Sequence, residues 1–212
     1  MSNSPLVNYT KISPNSSNPR NAKIKKITIH HMAGNLSVEA CGAEFTKTSR
    51  QASSNYAIGS DGRVGMYVEE KNRAWTSSNA DNDNQAITIE VANDVIGGNW
   101  HVSDKALAKL IDLCVDICER NGIDRLNFTG DVKGNLTMHK YFASTSCPGA
   151  YLESKFPYIA SEVNKRLSNP LEKDLRILVK NGVINSPDYW LNTAPKVKYL
   201  PELIGNMAKK FK

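Results

Sequence analysis

The chain has 212 residues, 40% apolar and 23% charged, with a net charge of +6. That is one domain of ordinary size with room for a small appendage, and it holds enough apolar and charged material for a packed core under a solvated surface. No run approaches the ~20 apolar residues of a membrane-spanning helix, and four cysteines are too few for a disulfide scaffold at this length.

The charge is unevenly placed. Residues 1–26 carry five bases and no acid, residues 170–212 carry eight bases and four acids, and the segment between them carries 14 bases and 17 acids. A mildly acidic body with two basic ends suits a polyanionic partner such as nucleic acid, anionic lipid or an anionic cell wall; plain solubility explains it as well. The first residues lack the basic patch and apolar run of a secretion signal, which predicts synthesis in the cytoplasm.

Residues 1–22, rich in Asn, Ser and Pro, read as a basic, irregular arm laid on the surface or partly disordered. Lys26 to His30 alternates like a strand. Ser37 is placed to cap a helix running to about Ser49, with Val38, Cys41 and Phe45 on one face. Tyr56 to Ile58 and Arg63 to Val68 flank Ser60-Asp61-Gly62, a hairpin signal. A polar loop, Ser77 to Asn84, precedes a strand over Ala86 to Ala92. Ser103 to Glu119 is the longest amphipathic pattern, closed by Asn121-Gly122. A short strand follows at Leu136 to His139, then a helix from Tyr151 to Leu167 after Cys147-Pro148-Gly149. Asn169-Pro170 is a natural boundary. Beyond it lie two helical runs, Leu171 to Lys180 and Tyr199 to Lys210, broken at Asn181-Gly182 and Ser186-Pro187. The expected architecture is therefore α/β, a mixed sheet flanked by helices over residues 23–168, with a small helical module over residues 169–212.

Three of the predicted strands share one pattern: Ile27-Thr28-Ile29-His30, Ile87-Thr88-Ile89-Glu90 and Leu136-Thr137-Met138-His139. Strand side chains alternate with period two, so the apolar pair of each faces a core and the Thr and final His or Glu face the other side. If the strands are neighbours, one face gathers His30, Glu90 and His139. A half-exposed sheet would instead simply turn Thr and Glu to water. Cys147, in a Pro-Gly turn eight residues past His139, can supply a third ligand. Two imidazoles and a thiolate suit zinc and leave a fourth position for water, with Glu90 placed as general base. Cys114 and Cys118 share a helix face without His or acid partners and read, like Cys41, as buried core thiols.

These motifs, with Thr28-Ile29-His30-His31, Ser54-Asn55-Tyr56-Ala57-Ile58, Ala74-Trp75 and Cys147-Pro148-Gly149, resemble the zinc N-acetylmuramoyl-L-alanine amidases of the peptidoglycan-recognition-protein and phage-lysozyme type over about residues 20–167. The resemblance implies a central mixed sheet with a zinc groove on one face. It implies Zn2+ bound by His30, His139 and Cys147, with Glu90, Tyr56 and Thr145 in catalysis. Thr145 lies where some members carry a lysine and others a threonine. Trp75, Asn55 and Thr76 fall to the substrate groove, Thr76 standing where many relatives have histidine. The implied reaction is hydrolysis of the amide between N-acetylmuramic acid and L-alanine of bacterial peptidoglycan, with anionic wall polymers as further partners and neither nucleic acid nor stable membrane insertion involved. A non-catalytic peptidoglycan-binding protein of the same fold is the alternative. With no secretion signal read, the expected lifestyle is a phage or prophage endolysin, made in the cytoplasm and acting on the wall after the membrane is opened. The C-terminal module is expected to aid wall targeting.

Overall fold

A computed structural model of the protein describes residues 2–211. They form two compact units, one ending at Val163 and one beginning at Asn164. Among the described residues no helix is long and apolar enough to cross a membrane.

In chain order the first unit contains β1 (Tyr9–Thr10), β2 (Ser16–Ser17), β3 (Lys26–His31), α1 (Val38–Phe45), β4 (Tyr56–Ile58), β5 (Val64–Met66), β6 (Arg73–Ala74), α2 (Ala80–Gln85), β7 (Ala86–Val91), α3 (Asp104–Asn121), β8 (Leu136–Met138) and α4 (Ala150–Leu167), the last turn of which belongs to the second unit. Six strands make one sheet in the order β1-β5-β4-β7-β3-β8. β4 and β5 pair antiparallel and the other neighbours pair parallel, so the sheet is mixed, as the spacing of strands and helices predicts.

The centre of the sheet is in strict register. Ile27, Thr28, Ile29 and His30 of β3 stand opposite Ile87, Thr88, Ile89 and Glu90 of β7, and Thr28 also stands opposite Thr137 of β8. On one face Ile27, Ile29, Ile87 and Ile89 are fully buried, each contributing about 1.5–3 kcal/mol of burial. The other face does not meet water. Thr28, Thr88 and Thr137 are fully buried there too. Their hydroxyls are satisfied, Thr28 to Thr137 at 2.9 Å and Thr88 to Thr76 at 2.8 Å. The period-two reading of the faces holds; the half-exposed alternative does not.

The N-terminal segment departs from expectation. It is not a loose arm: β1 extends the main sheet beside β5, and β2 pairs with β6 in a small two-stranded ribbon. Ser4, Ser13, Asn15 and Arg20 are buried. The Arg20 guanidinium reaches no carboxylate; it donates to the carbonyls of Glu70 (2.6 Å), Asn72 (2.9 Å), Asn84 (2.7 Å), Ala86 (3.1 Å) and Asp83 (3.3 Å). Burial lowers its pKa to about 10, against the pull of Glu70 and Asp83. One of the five basic charges of the segment is thus an internal bracket for the β6–α2–β7 turn. Sequence composition concealed this, because a segment with few large apolar residues anchors here through polar groups.

A second polar cluster meets the first at Glu70, whose carbonyl accepts from Arg20. Glu70, fully buried, accepts from Arg120 of α3 through both oxygens (2.6 and 2.9 Å), and its backbone N–H donates to Asn3.

The second unit consists of α5 (Pro170–Lys180), α6 (Pro187–Thr193) and α7 (Leu200–Ala208). Its core is Leu175, Leu178, Ala194, Ile204 and Ala208, with Leu171, Trp190, Leu200 and Met207 packed around it. Most of the large apolar side chains of the two helical runs therefore pack within the unit, while Val179, Leu203, Tyr189 and Tyr199 stay exposed. The structure divides the chain about five residues before the Asn169-Pro170 boundary read from the sequence. Asn169 instead caps α5, its side chain accepting from the Glu172 N–H.

Replacing Arg20 with Met should strand these carbonyls in the interior, each worth about 1–3 kcal/mol when unsatisfied. We expect the unfolding free energy from urea titration to fall by about 3 kcal/mol or more. A loss of under about 1 kcal/mol would mean that the segment merely rests on the surface.

Candidate metal centre

The in-register pairing of β3 with β7 and β8 brings the ends of the three strands together. His30 follows Thr28 on the polar face of β3, and Glu90 stands opposite it on β7. His139 begins the 3-10 turn (His139–Tyr141) that ends β8. The chain then returns through a loop closed by the Lys140 N–H donating to the Cys147 carbonyl at 3.1 Å. The result is one cluster: ligand atoms of His30, His139 and Cys147 all lie within 4.8 Å of one another, and the two imidazole centroids are 4.6 Å apart.

The turn at Cys147 is held from three sides. The Thr145 hydroxyl accepts from the Cys147 N–H at 3.2 Å, and the Gly149 N–H donates to the Ser146 carbonyl at 2.8 Å. The His31 N–H donates to the Cys147 Sγ at 3.4 Å. Gly149 has φ +83°, and a Cβ there would lie 2.9 Å from the Cβ of Trp100 and 3.2 Å from the His31 ring. Only glycine combines that backbone conformation with that approach. His31 itself does not join the cluster; its ring packs edge-on against Trp100 at 5.2 Å.

The electrostatics suit a cation. Burial, with His139 and His31 adding to it, holds the His30 pKa well below its usual value, and burial lowers His139 against the pull of Asp83. Both rings are therefore neutral near pH 7, the form that ligates. Burial and the nearby Glu90 push the Cys147 thiol up, against the His31 N–H. Burial also raises Glu90 to about 8, opposed by Arg50. A cation in the cluster would draw both acids back down. Glu90 Oε1 lies 4.0 Å from His30 Nδ1, its side chain 14% exposed. Glu90 Oε2, His30 Nε2 and His139 Nε2 are buried without a hydrogen-bond partner. Two imidazoles, a thiol and unpartnered buried polar atoms fit a zinc ion, which takes nitrogen and sulfur ligands.

Other sequence-derived site residues fall elsewhere. Tyr56 stands opposite Ile89, and Ala57 stands opposite Glu90. Tyr56 is thus on the reverse face of the sheet, fully buried, donating to Glu70 Oε1 at 2.6 Å and accepting from the Ser4 N–H. A single step in register separates the two faces, and this corrects its expected place beside the metal. Asn55 is also fully buried; its Nδ2 donates to the Val68 carbonyl and its Oδ1 accepts from the Thr88 N–H at 3.1 Å, so it ties strands together. Thr76 turns its hydroxyl inward to the Ser53 carbonyl (2.7 Å) and Thr88. Trp75 is half-buried, its Nε1 donating to Ser17 at 2.9 Å, and together with Thr76, Gln51, Arg73 and Ser78 it lines a surface depression. Thr145 is exposed; it accepts from Cys147 and keeps its own proton free to donate. Cys41, Cys114 and Cys118 are buried free thiols, as expected.

Sequence reasoning missed α2. The expected polar loop is a helix capped by Asn79, with Asn82, Asp83 and Asn84 buried. No apolar period marks it, and only Asn79 as a cap was available as a signal. Because Tyr56 serves Glu70, Tyr56→Phe should lower unfolding free energy by about 1.5–3 kcal/mol, the value of a hydrogen bond to a charged group. Zinc binding measured by chelator competition should stay unchanged.

The chain resembles several solved structures in fold. PlyL superposes with a TM-score of 0.60 at 16% identity, covering 74% of this chain and 96% of that one. The catalytic domain of XlyA gives 0.58 at 16%, covering 74% and 99%. The endolysin N-acetylmuramoyl-L-alanine amidase LysCS from Clostridium intestinale gives 0.55 at 20%, covering 74% and 93%. A search of curated proteins finds no match to the sequence. Residues 20–150 match the N-acetylmuramoyl-L-alanine amidase family, a span that holds β3, β7, β8 and the whole His30–Glu90–His139–Cys147 cluster, and the chain belongs to that family.

Proposed function

We propose that this amidase is zinc-dependent and works as an endolysin, opening bacterial peptidoglycan at the bond between the lactyl carbonyl of N-acetylmuramic acid and L-alanine. The observation that carries the reading is the cluster of His30, His139 and Cys147 with Glu90 beside it. The likeness in fold to LysCS, described as an endolysin, supports the lytic role.

His30, His139 and Cys147 would hold the zinc. When bound, zinc would polarise the scissile carbonyl and acidify a water toward pKa ~7. Glu90, close to His30 and with its side chain 14% exposed, takes the proton of the attacking water and delivers it to the leaving amine of L-alanine. The free Thr145 proton at the rim is placed to hydrogen-bond the developing oxyanion. Trp75 and the depression it lines receive the glycopeptide, a half-buried aromatic beside polar groups being suited to a sugar or peptide face.

The second unit is proposed to draw the enzyme to anionic wall polymers. Residues 170–212 keep a net charge of +4, and Lys196, Lys198, Lys209 and Lys210 are exposed. The N-terminal segment has a smaller part in this, since Arg20 is internal.

Mass spectrometry of digested walls should show the muramyl–alanine amide cut, with activity lost on chelation and restored by zinc. A metal-free active protein would end the zinc reading. Glu90→Gln should keep zinc and fold yet lose ~10²–10⁴-fold in turnover; near-normal turnover would make Glu90 a bystander. Removing residues 170–212 should leave cleavage of soluble muropeptides intact and weaken binding to whole walls, more at low salt than at high, because the Debye length shortens with salt. Equal wall binding at every salt concentration would remove the targeting role.

A further inference from the structure

Five basic residues stand in the first 26. Two of them are committed to the fold. Arg20 holds the carbonyls described above, and Lys26 donates through Nζ to the Val132 carbonyl at 3.1 Å. Lys11 is half-buried just after β1. Lys23 and Lys25 are exposed, and both line one cleft together with the exposed Arg125. Among the described residues none of these three side chains has an ion pair or a hydrogen bond.

The cleft measures about 460 Å³. It lies where the chain enters β3, between the carboxyl end of α3 and the residue that precedes β8. Backbone bonds hold its walls. The Lys25 N–H donates to the Gln85 carbonyl at 2.9 Å, the Ile123 N–H to the Cys118 carbonyl at 2.9 Å, and the Ile27 N–H to the Asn135 carbonyl at 2.8 Å. Ile24 and Ile123 also line it and are buried, so the cleft has an apolar floor and a basic rim.

The charge of that rim is not consumed locally. One acid, exposed Asp124, shares the lining, and the carboxyl end of α3 adds a negative pole of about half a charge. Three bases exceed both. The surrounding body has the opposite balance, with 14 bases against 17 acids between residues 26 and 170. Lys25 also adds to burial in lowering the pKa of Lys26, as like charges held close without a counter-ion do. The cleft opens at the start of β3, and the strand runs ~13 Å from Lys26 to His30. It is therefore a different place from the metal centre.

The lining states what would fit. A guanidinium fork takes phosphate oxygens in pairs, and a lysine meets them as a point charge. The carbons between successive phosphates of a polyol chain would rest on the apolar floor. No aromatic side chain lines the cleft, so a nucleic-acid base finds no stacking platform. We infer that this cleft is a binding site for a polyol-phosphate polymer of the bacterial wall, distinct from the metal centre. The choice of the wall as the polymer's source rests on the lytic reading above.

The test is titration of the full chain with soluble poly(glycerol phosphate), read by calorimetry and by backbone amide NMR. The amides of Lys23, Ile24, Ile123 and Arg125 should shift with the polymer. Lys23→Gln/Lys25→Gln/Arg125→Gln should weaken binding ~10-fold, the sum of three exposed charge pairs, and leave cleavage of soluble muropeptides unchanged. Lys47→Gln/Lys71→Gln/Lys105→Gln takes the same charge from exposed lysines outside the cleft and should hold affinity within about twofold, because distant charges are screened. Equal losses in the two variants mean diffuse attraction and overturn the inference. So does a cleft variant that binds like the parent, and so do shifts confined to residues 170–212, which would give the polymer to the second unit alone. Single-stranded DNA that shifts the cleft amides more than the polymer does, or inorganic phosphate that shifts them where the polymer does not, also refutes it. None of the binding readouts needs turnover. A parent chain that cuts no muropeptide therefore counts against the lytic reading, while the binding result still decides the cleft.

Discussion

The parallel, in-register pairing of β3 with β7 and with β8 is the constraint on which the molecule turns. Register decides which side chains share a row, and a slip of one residue would send every one of them to the other face. With Thr28 opposite both Thr88 and Thr137, the next position outward must hold His30 beside Glu90, with His139 at the end of β8. The placement of His30, Glu90 and His139 is thus set by the backbone ladder of three strands, with Cys147 brought to them by the turn that follows, and rigid elements of this kind suit a site that needs its groups tightly placed. The apolar rows favour this register, because a slip of one residue would take Ile27 and Ile29 out of the face they share with Ile87 and Ile89.

A buried polar face needs its own hydrogen bonds, and the chain supplies them from distant segments. Thr76 satisfies Thr88, Asn82 satisfies Thr28, and Asn55 bonds the backbone of β7. Arg20 then gathers the carbonyls at the start of β7, and Arg120 and Tyr56 converge on Glu70. In a low-dielectric interior such networks are strong when complete and costly when broken. The N-terminal segment is part of this arrangement, which is why a sequence poor in large apolar residues is nonetheless ordered against the body.

Period-two alternation and the Thr-x-His/Glu pattern made β3, β7, β8 and the convergence of His30, Glu90, His139 and Cys147 legible before any coordinates, since both depend on local spacing. Tyr56 and Asn55 were misplaced because a three-residue strand carries too little pattern to fix its face; their register against β7 comes from tertiary pairing. The helix α2 was illegible because its residues are held by caps and by Asp83, with no apolar stripe. Pro187 was read as a breaker, yet it opens α6 at the first helical turn, where a proline without an N–H is tolerated. The N-terminal strands β1 and β2 have two residues each, below the length at which any periodicity shows.

His30 and His31 show how one strand end serves two purposes. Successive strand residues face opposite ways, so the pair cannot both reach the cluster. His30 takes the polar face. His31 sends its ring to Trp100 on the other side, where the space beside it is available only because position 149 has no Cβ. Its backbone N–H, lying in the plane of the sheet, is then left over at the strand end and donates to the Cys147 sulfur. That bond favours the thiolate over the thiol, opposing the burial that raises the Cys147 pKa. The second histidine thus contributes to the centre through its main chain while its side chain packs the turn that delivers the thiol. The sulfur, the strand end and the glycine turn are one mechanical unit, and the position of the third ligand follows from the same β3 register that places the first.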